Sequence, residues 1–286
     1  MYPAKFRYEA PTSLAEALEM LSVYGDECKI LAGGQSLVPM LKLRFASPGV
    51  LIDINNLPGL AYHRRDTNGS LRVGALCRHR DLERSALLPQ HQPTMAGVAP
   101  LIADPIVRCR GTLVGSLCHS DPQGDWAAAA VACGAKVVAT SARGEREIPV
   151  SEFFTGPFEN ALALDEIATE AVFPSAKGMQ GGYLKLERRI GDFATAGVAV
   201  ALEVTGDRVT RAGLALTGVG PRTLEATGAA EYLKSKSLTQ SVIEEASRLS
   251  AEAAQPRGDH RGSSEYKRHI IYTFTNRLLT RLALAA

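Results

Sequence analysis

Two stretches of this chain gather glycine and small residues, the first of them where an apolar run ends. The first, Ala32-Gly33-Gly34-Gln35-Ser36-Leu37, follows Ile30 and Leu31; the second, Gly111-Thr112-Leu113-Val114-Gly115-Ser116, begins 78 positions after Gly33 (111 − 33). A diphosphate can be held by backbone N–H groups that point at its oxygens with no Cβ in the way, and glycine permits that approach. Where such a stretch leaves a strand and enters a helix, the amides at the helix start converge on the same anion. Two of them suit one diphosphate. On this reading a side chain added at Gly33 would project into the path of the diphosphate. Neither stretch follows G-x-G-x-x-G or G-x-x-x-x-G-K-[ST], so neither a nicotinamide-type Rossmann site nor a P-loop is supported.

Other groups capable of chemistry are sparse. Cys28, Cys77, Cys109, Cys118 and Cys133 are odd in number and form no C-x-x-C pair. That argues against a disulfide framework, and against a cluster or structural zinc site built by this chain. They read as small buried hydrophobes in a reducing compartment. The six histidines show no H-E-x-x-H spacing, so no metal site is expected. No Ser-His-Asp or Cys-His arrangement is readable, which leaves the chemistry to a bound cofactor. With 32 basic and 30 acidic residues the net charge is +2, without the basic footprint of a nucleic-acid binder. No run approaches about eighteen uncharged apolar residues, and the opening MYPAKFRYEA lacks the apolar segment of a secretory signal. A cytoplasmic protein without a membrane span is expected.

The elements that must carry these stretches follow from periodicity. The 286 residues, 45% of them apolar, can build one large domain or two ordinary ones. Ser13 and Glu16 form a capping box ahead of a helix whose Leu14, Ala17, Leu18 and Leu21 share a face, and Gly25 stops it. A strand over 28–31, a short helix around 38–43 and a buried strand over 49–54 make a β-loop-α-β start. Short strands such as 70–76 and helices near 81–85 and 94–103 lead to the second stretch. An alanine-rich helix is expected to start near Asp121-Pro122. Strands over 135–140 and 165–174 follow. Residues 175–182 have linker composition, which places a domain boundary near residue 176: a first domain over 1–176, with subdomains of about 1–55 and 56–176, and a second over 177–286. The second domain opens on a long β-hairpin turning at Gly206-Asp207 and continues with helices near 224–234, 239–254 and from about 264 to the C-terminus.

Three segments, LAGGQSLVPMLKLR, ADPIVRCRGTLVGSLCHSDPQGDW and YLKLERRIGDFATAGVAVAL, carry a resemblance over essentially the whole chain. It resembles the FAD-binding medium subunit of molybdenum hydroxylases, the family of carbon monoxide dehydrogenase and xanthine dehydrogenase. The resemblance implies an α+β fold: a two-part PCMH-type (vanillyl-alcohol-oxidase-like) FAD-binding domain, then a small C-terminal domain with an antiparallel sheet and helices. It assigns Ala32, Gly33, Gly34, Gln35, Ser36 and Leu37 to the first FAD loop, and Thr112, Gly115 and Ser116 to the second. Asp125 matches an acidic residue that hydrogen-bonds the adenosine portion. Ile102 matches an apolar residue packed on the cofactor, Ile167 one in a strand lining the ring, and Lys185 a lysine close to the flavin. Two positions depart from the family's pattern. Val114 replaces a glycine, so the backbone there has negative φ or the loop is reshaped. Phe193 replaces a tyrosine beside the isoalloxazine, keeping ring contact without the phenol.

Several of these residues have a second reading. His119 can reach a phosphate or serve a turn; Asp125 can be an ordinary first-turn carboxylate. Lys185, Arg188 and Arg189 can form a solvated strand edge, the arginines being read as surface or interface. Trp126 reads as core rather than a stacking platform.

The resemblance further implies a small partner with two [2Fe-2S] clusters and a large subunit with a molybdenum-pterin cofactor, assembled as a dimer of heterotrimers. Substrate, whether N-heterocycle, aromatic compound, aldehyde or carbon monoxide, would be oxidised on the large subunit. Electrons would reach FAD through the clusters and leave to an external acceptor. A cation such as Lys185 would stabilise the reduced flavin. The rival readings are a self-sufficient flavin oxidase or reductase and a non-redox nucleotide-binding module.

Overall fold

The computed structural model describes residues 2–175 and 178–285. The chain starts with β1 (Arg7–Glu9), α1 (Leu14–Tyr24), β2 (Cys28–Leu31), α2 (Leu37–Leu43) and β3 (Val50–Asp53). The Ser13 hydroxyl accepts from the Glu16 N–H, and the Glu16 carboxylate reaches back to the Thr12 N–H at 2.7 Å. Ala17, Leu18 and Leu21 are buried on one face of α1, and Gly25 ends it at φ +51°. Both outer strands run parallel to β3, in the order β1-β3-β2. Parallel pairing puts the C-terminal ends of β2 and β3 on the same side, so the first glycine stretch and Asn55 leave the sheet together.

The middle of the chain is built on β4 (His63–Arg65), β5 (Leu71–Gly74), α3 (His79–Glu83), α4 (Leu87–His91), α5 (Pro93–Val98), α6 (Pro105–Arg108), α7 (Leu113–His119) and α8 (Asp125–Cys133). It continues with β6 (Lys136–Ser141), β7 (Gly144–Pro149), α9 (Val150–Phe153), β8 (Phe154–Gly156), β9 (Glu159–Asn160) and β10 (Ile167–Phe173). An antiparallel sheet of order β4-β5-β10-β6-β7 forms its floor. The alanine-rich helix α8 is buried along its whole length, which its small side chains allow. It starts at Asp125, later than expected from Asp121-Pro122. Asp121 instead closes a turn, accepting from the Gln123 N–H on its carboxylate and from the Gly124 N–H on its carbonyl. A local side-chain turn won over a helix start there.

The last part is a meander of β11 (Met179–Leu186), β12 (Ala196–Thr205), β13 (Arg208–Thr217) and β14 (Leu224–Glu225), covered by α10 (Thr227–Leu233), α11 (Gln240–Ala253) and α12 (Ser264–Ala285). The hairpin turns at Gly206, φ +63°. The second half of the stretch with linker composition, residues 179–182, belongs to β11, where Met179 to Leu186 pair residue by residue with β12. The boundary expected near residue 176 lies outside the described residues. One core joins the two N-terminal sheets and takes in Tyr183, Ala199, Ala201 and Ala215 of the last sheet; a second lies between that sheet's other face and α10–α12. The meander is thus buried on both faces.

Candidate cofactor site

A cleft of about 630 Å³ lies where the three parts meet, within the size range of small-molecule sites. Fourteen of the fifteen expected site residues line it: all but Lys185. The two glycine stretches touch. An ideal Cβ on Gly33 would stand 2.5 Å from the Arg110 carbonyl oxygen and 2.8 Å from Gly111 Cα. Gly33 is therefore required by loop-on-loop contact, which corrects the expectation that its side chain would enter a ligand's path. Gly34 sits at φ +72°, a conformation glycine adopts without strain. Among the described residues the N–H groups of Gly33, Gly34, Gln35 and Ser36, and those of Leu113 and Val114, meet no acceptor. Leu113 and Val114 are buried and Gly33, Gly34 and Ser36 half-buried, whereas Gln35 is exposed; the covered donors among them call for an acceptor. A bare cradle with converging orphan donors fits the diphosphate of a dinucleotide.

A side-chain clamp joins the stretches. Asn55 donates from Nδ2 to the Ala32 carbonyl at 2.7 Å and accepts on Oδ1 from Arg78 Nη2 at 2.6 Å. Arg78 Nη1 donates to the Arg110 carbonyl at 2.7 Å, while Asp53 Oδ1 accepts from the Asn55 backbone and amide. No local pattern marks this clamp, since Asn55 and Arg78, 23 positions apart, become partners only when the end of β3 is packed against the start of α3.

The second stretch is a helix start rather than a glycine loop. Thr112 caps α7, its hydroxyl accepting from the Gly115 N–H at 3.1 Å. A Cβ on Gly115 would come within 2.6 Å of that hydroxyl. Val114 lies in the first turn of α7 and is absent from the positive-φ residues, so its branched side chain is unstrained and packs into the core. Threonine followed by an apolar residue is an N-cap signal that outweighs the glycines around it.

Asp125 faces the cleft from the first turn of α8 and is 8% exposed. Its two oxygens accept from Tyr183 Oη at 2.5 Å and Lys185 Nζ at 3.1 Å. Burial pushes its carboxyl upward, opposed by the Lys185 charge. The Lys185 side chain, 1% exposed, lies behind the cleft wall with its ammonium ringed by oxygens: Leu101 O at 2.7 Å, Asp192 O at 3.1 Å, Glu187 Oε2 at 3.1 Å and Asp125. It is no solvated edge residue. Its three protons are committed to protein acceptors, and it fastens β11 to the N-terminal part.

Ile102 and Ile167 supply apolar wall, the latter from the start of β10. Phe193, half-exposed at 50%, sits at the rim with its carbonyl held by Arg261 Nη1 at 2.7 Å. Gly191 at φ +84° brings this rim against Ala103, itself at φ +42°. Arg188 pairs with Asp192 at 3.5 Å. His119 ends α7 against the Phe158 ring, 5.2 Å between centroids, and burial lowers its pKa. Trp126 is core, fully buried and outside the cleft.

Two wall residues escaped the sequence reading. Glu166 accepts both Nε and Nη2 of Arg146, at 2.6 and 2.8 Å, and the Arg146 hydrogen bonding holds its carboxyl below the ordinary range. It is thus no free base. His79 opens α3 and receives the Trp126 Nε1–H on Nδ1 at 3.0 Å. Among the described residues no group of metal-binding side chains is gathered, and no helix is long and apolar enough to cross a membrane. All five cysteines are unpaired; Cys109 is exposed against Arg80, contrary to the expectation of burial, whereas burial pushes the Cys77, Cys118 and Cys133 thiols up to about 12.

Cleft, cradle and order of parts define a flavin-nucleotide domain with an attached second domain. Residues 4–176 match the family model described as the FAD binding domain in molybdopterin dehydrogenase, and 182–282 match the CO dehydrogenase flavoprotein C-terminal domain. The chain belongs to this family of FAD-binding oxidoreductase subunits, the medium subunits of molybdenum hydroxylases. It is 38% identical to the carbon monoxide dehydrogenase medium chain of Hydrogenophaga pseudoflava, over 98% of this chain and 97% of that one. It is 34% identical to the nicotine 6-hydroxylase medium subunit of Paenarthrobacter nicotinovorans, over 96% and 95%. A solved carbon monoxide dehydrogenase from Hydrogenophaga pseudoflava superposes with a TM-score of 0.94 over 98% of both chains. Quinoline 2-oxidoreductase from Pseudomonas putida 86 superposes with a TM-score of 0.93 at 29% identity, over 100% of this chain and 99% of that one.

Proposed function

We propose that this chain is the electron-transfer subunit of a heterotrimeric molybdenum hydroxylase, receiving electrons from [2Fe-2S] clusters of a small partner and delivering them to an external acceptor. The observation that carries the reading is the contact of Gly33 with Gly111, which gathers orphan N–H groups from distant stretches around one cleft. Bound there, FAD supplies reversible one- and two-electron chemistry. Residues 32–37 and 112–116 would hold its diphosphate, Asp125 its adenosine hydroxyls or amine, and Ile102, Ile167 and Phe193 its apolar faces. Lys185 acts one step removed, by setting the position of Asp125. The buried carboxylates of the cleft, Asp125 and Glu166, are both paired with cations of the chain, which supports substrate oxidation on a large molybdenum-pterin subunit. The complex would be a dimer of heterotrimers in the cytoplasm, with the domain boundary of this chain near residue 176.

Purification of the native complex tests this. A yellow protein carrying iron and molybdenum, whose flavin bleaches on adding a substrate of the large subunit, is the expected result. A colourless chain favours a non-redox nucleotide binder. A yellow chain that turns over substrate with no partner, iron or molybdenum favours a self-sufficient flavin enzyme.

A further inference from the structure

His79 is 4% exposed and lines the cleft at the point where the two glycine stretches meet. Its backbone N–H donates to the Gly111 carbonyl at 2.9 Å, and an ideal Cβ on Gly111 would stand 2.6 Å from His79 Nε2. The missing side chain at Gly111 therefore leaves room for the imidazole edge. Indole N–H is a donor only, so the 3.0 Å bond from Trp126 Nε1 makes His79 Nδ1 the acceptor. The one proton of a neutral ring is then carried by Nε2. Among the described residues Nε2 has no hydrogen-bond partner; the residue is more than nine-tenths buried, but Nε2 itself is not sealed from solvent and is reachable from the cleft that His79 lines. A donor with no partner in the protein that opens only onto a cleft is available to water or to a ligand bound there.

We propose that His79 is a ligand-binding residue, donating its Nε2–H to a diphosphate oxygen of the FAD held between the two glycine stretches. Trp126 is the positioning residue that fixes the tautomer. The inference rests on reading the cleft as the FAD site. It explains two features at once: Gly111 is bare to admit the ring, and the chain's single tryptophan is used in the core as a donor to it. A buried neutral donor suits a phosphate oxygen already surrounded by main-chain N–H groups, because it adds a hydrogen bond without a second charge.

The test separates the two ring nitrogens. Asparagine places an amide where Nδ1 stands, so His79→Asn keeps the Trp126 acceptor and loses the distal donor. Glutamine reaches where Nε2 stands, so His79→Gln keeps a distal donor. Full-length chain stripped of flavin is titrated with FAD and with riboflavin, which lacks the diphosphate, and folding is checked by circular dichroism. The expected result is FAD binding weakened roughly ten- to a hundredfold in His79→Asn, with His79→Gln close to wild type and riboflavin binding alike in all three. Unchanged FAD affinity in His79→Asn, equal losses in both variants, or a parallel loss of riboflavin would overturn the assignment. Failure of the wild-type chain to bind FAD would instead overturn the reading of the cleft.

Discussion

Side chains around the cleft work mostly on one another. Lys185 shows this: three donors are spent on four oxygens, and two of those, Asp125 and Leu101 O, belong to a different part of the chain. Removing one partner of a buried pair leaves the other charged and unsatisfied, at a cost of about 3–5 kcal/mol. Lys185→Met should therefore destabilise the fold by about that amount in urea titrations, rather than leave it intact with an altered flavin potential. The double variant Lys185→Met with Asp125→Asn should recover part of the loss, since the stranded charge is removed. Gly33→Ala places a methyl group against the Arg110 carbonyl, where only backbone can move. Flavin content should fall sharply, with a stability loss of about 1–3 kcal/mol. Full flavin content in Gly33→Ala would show that the stretches can separate freely.

At the scale of elements, two short helices, α2 and α7, present the cradle; Ser36 makes no side-chain cap on α2, whereas α7 is held by a local one. α7 depends on Thr112; Thr112→Ala removes the acceptor for the Gly115 N–H and should cost about 1 kcal/mol, read as a lowered melting temperature. The same variant should release flavin faster, because Leu113 and Val114 N–H groups are the ones that the cap orients. α8 and β13 meet so closely that a Cβ on Gly213 would stand 1.9 Å from the Ala132 carbonyl oxygen. Gly213→Val should therefore push the meander off α8. Limited proteolysis of that variant should cut on either side of the meander; an uncut chain would mean that the packing tolerates the added bulk.

Across the whole molecule, acid stability is set by where protons cannot go. His79 is pushed down to about 3 by burial and by the guanidinium groups of Arg108 and Arg78, against 6.5 for a free histidine. Between those values the unfolded chain binds the proton that the folded one refuses. Stability in the flavin-free chain is thus full above pH 6.5 and is lost as pH falls below it, at up to about 1.4 kcal/mol per pH unit. Urea midpoints between pH 7 and 5 should fall accordingly, and His79→Asn should flatten the slope. The Glu166 carboxylate, held low by Arg146, acts in a separate window: its contribution is present above 4.5 and lost in stronger acid.

Periodicity and punctuation in the sequence were enough for α1 with its Ser13 cap, the β2-α2-β3 start and the hairpin at Gly206, because each depends on neighbours within a few positions. The residues of the cleft were legible through their resemblance to a family whose motifs keep their order. Local signals misled where two competed: glycine against the Thr112 cap, and Asp121 as turn against Asp121 as helix start. What tertiary structure alone decided is why the residues are needed. Gly33 is glycine because Arg110 lies against it, Lys185 faces Asp125 rather than solvent, and Trp126 reaches His79 across 47 positions (126 − 79). Such contacts join residues far apart in the chain, and their energies come from burial and donor–acceptor geometry, quantities that no local pattern carries.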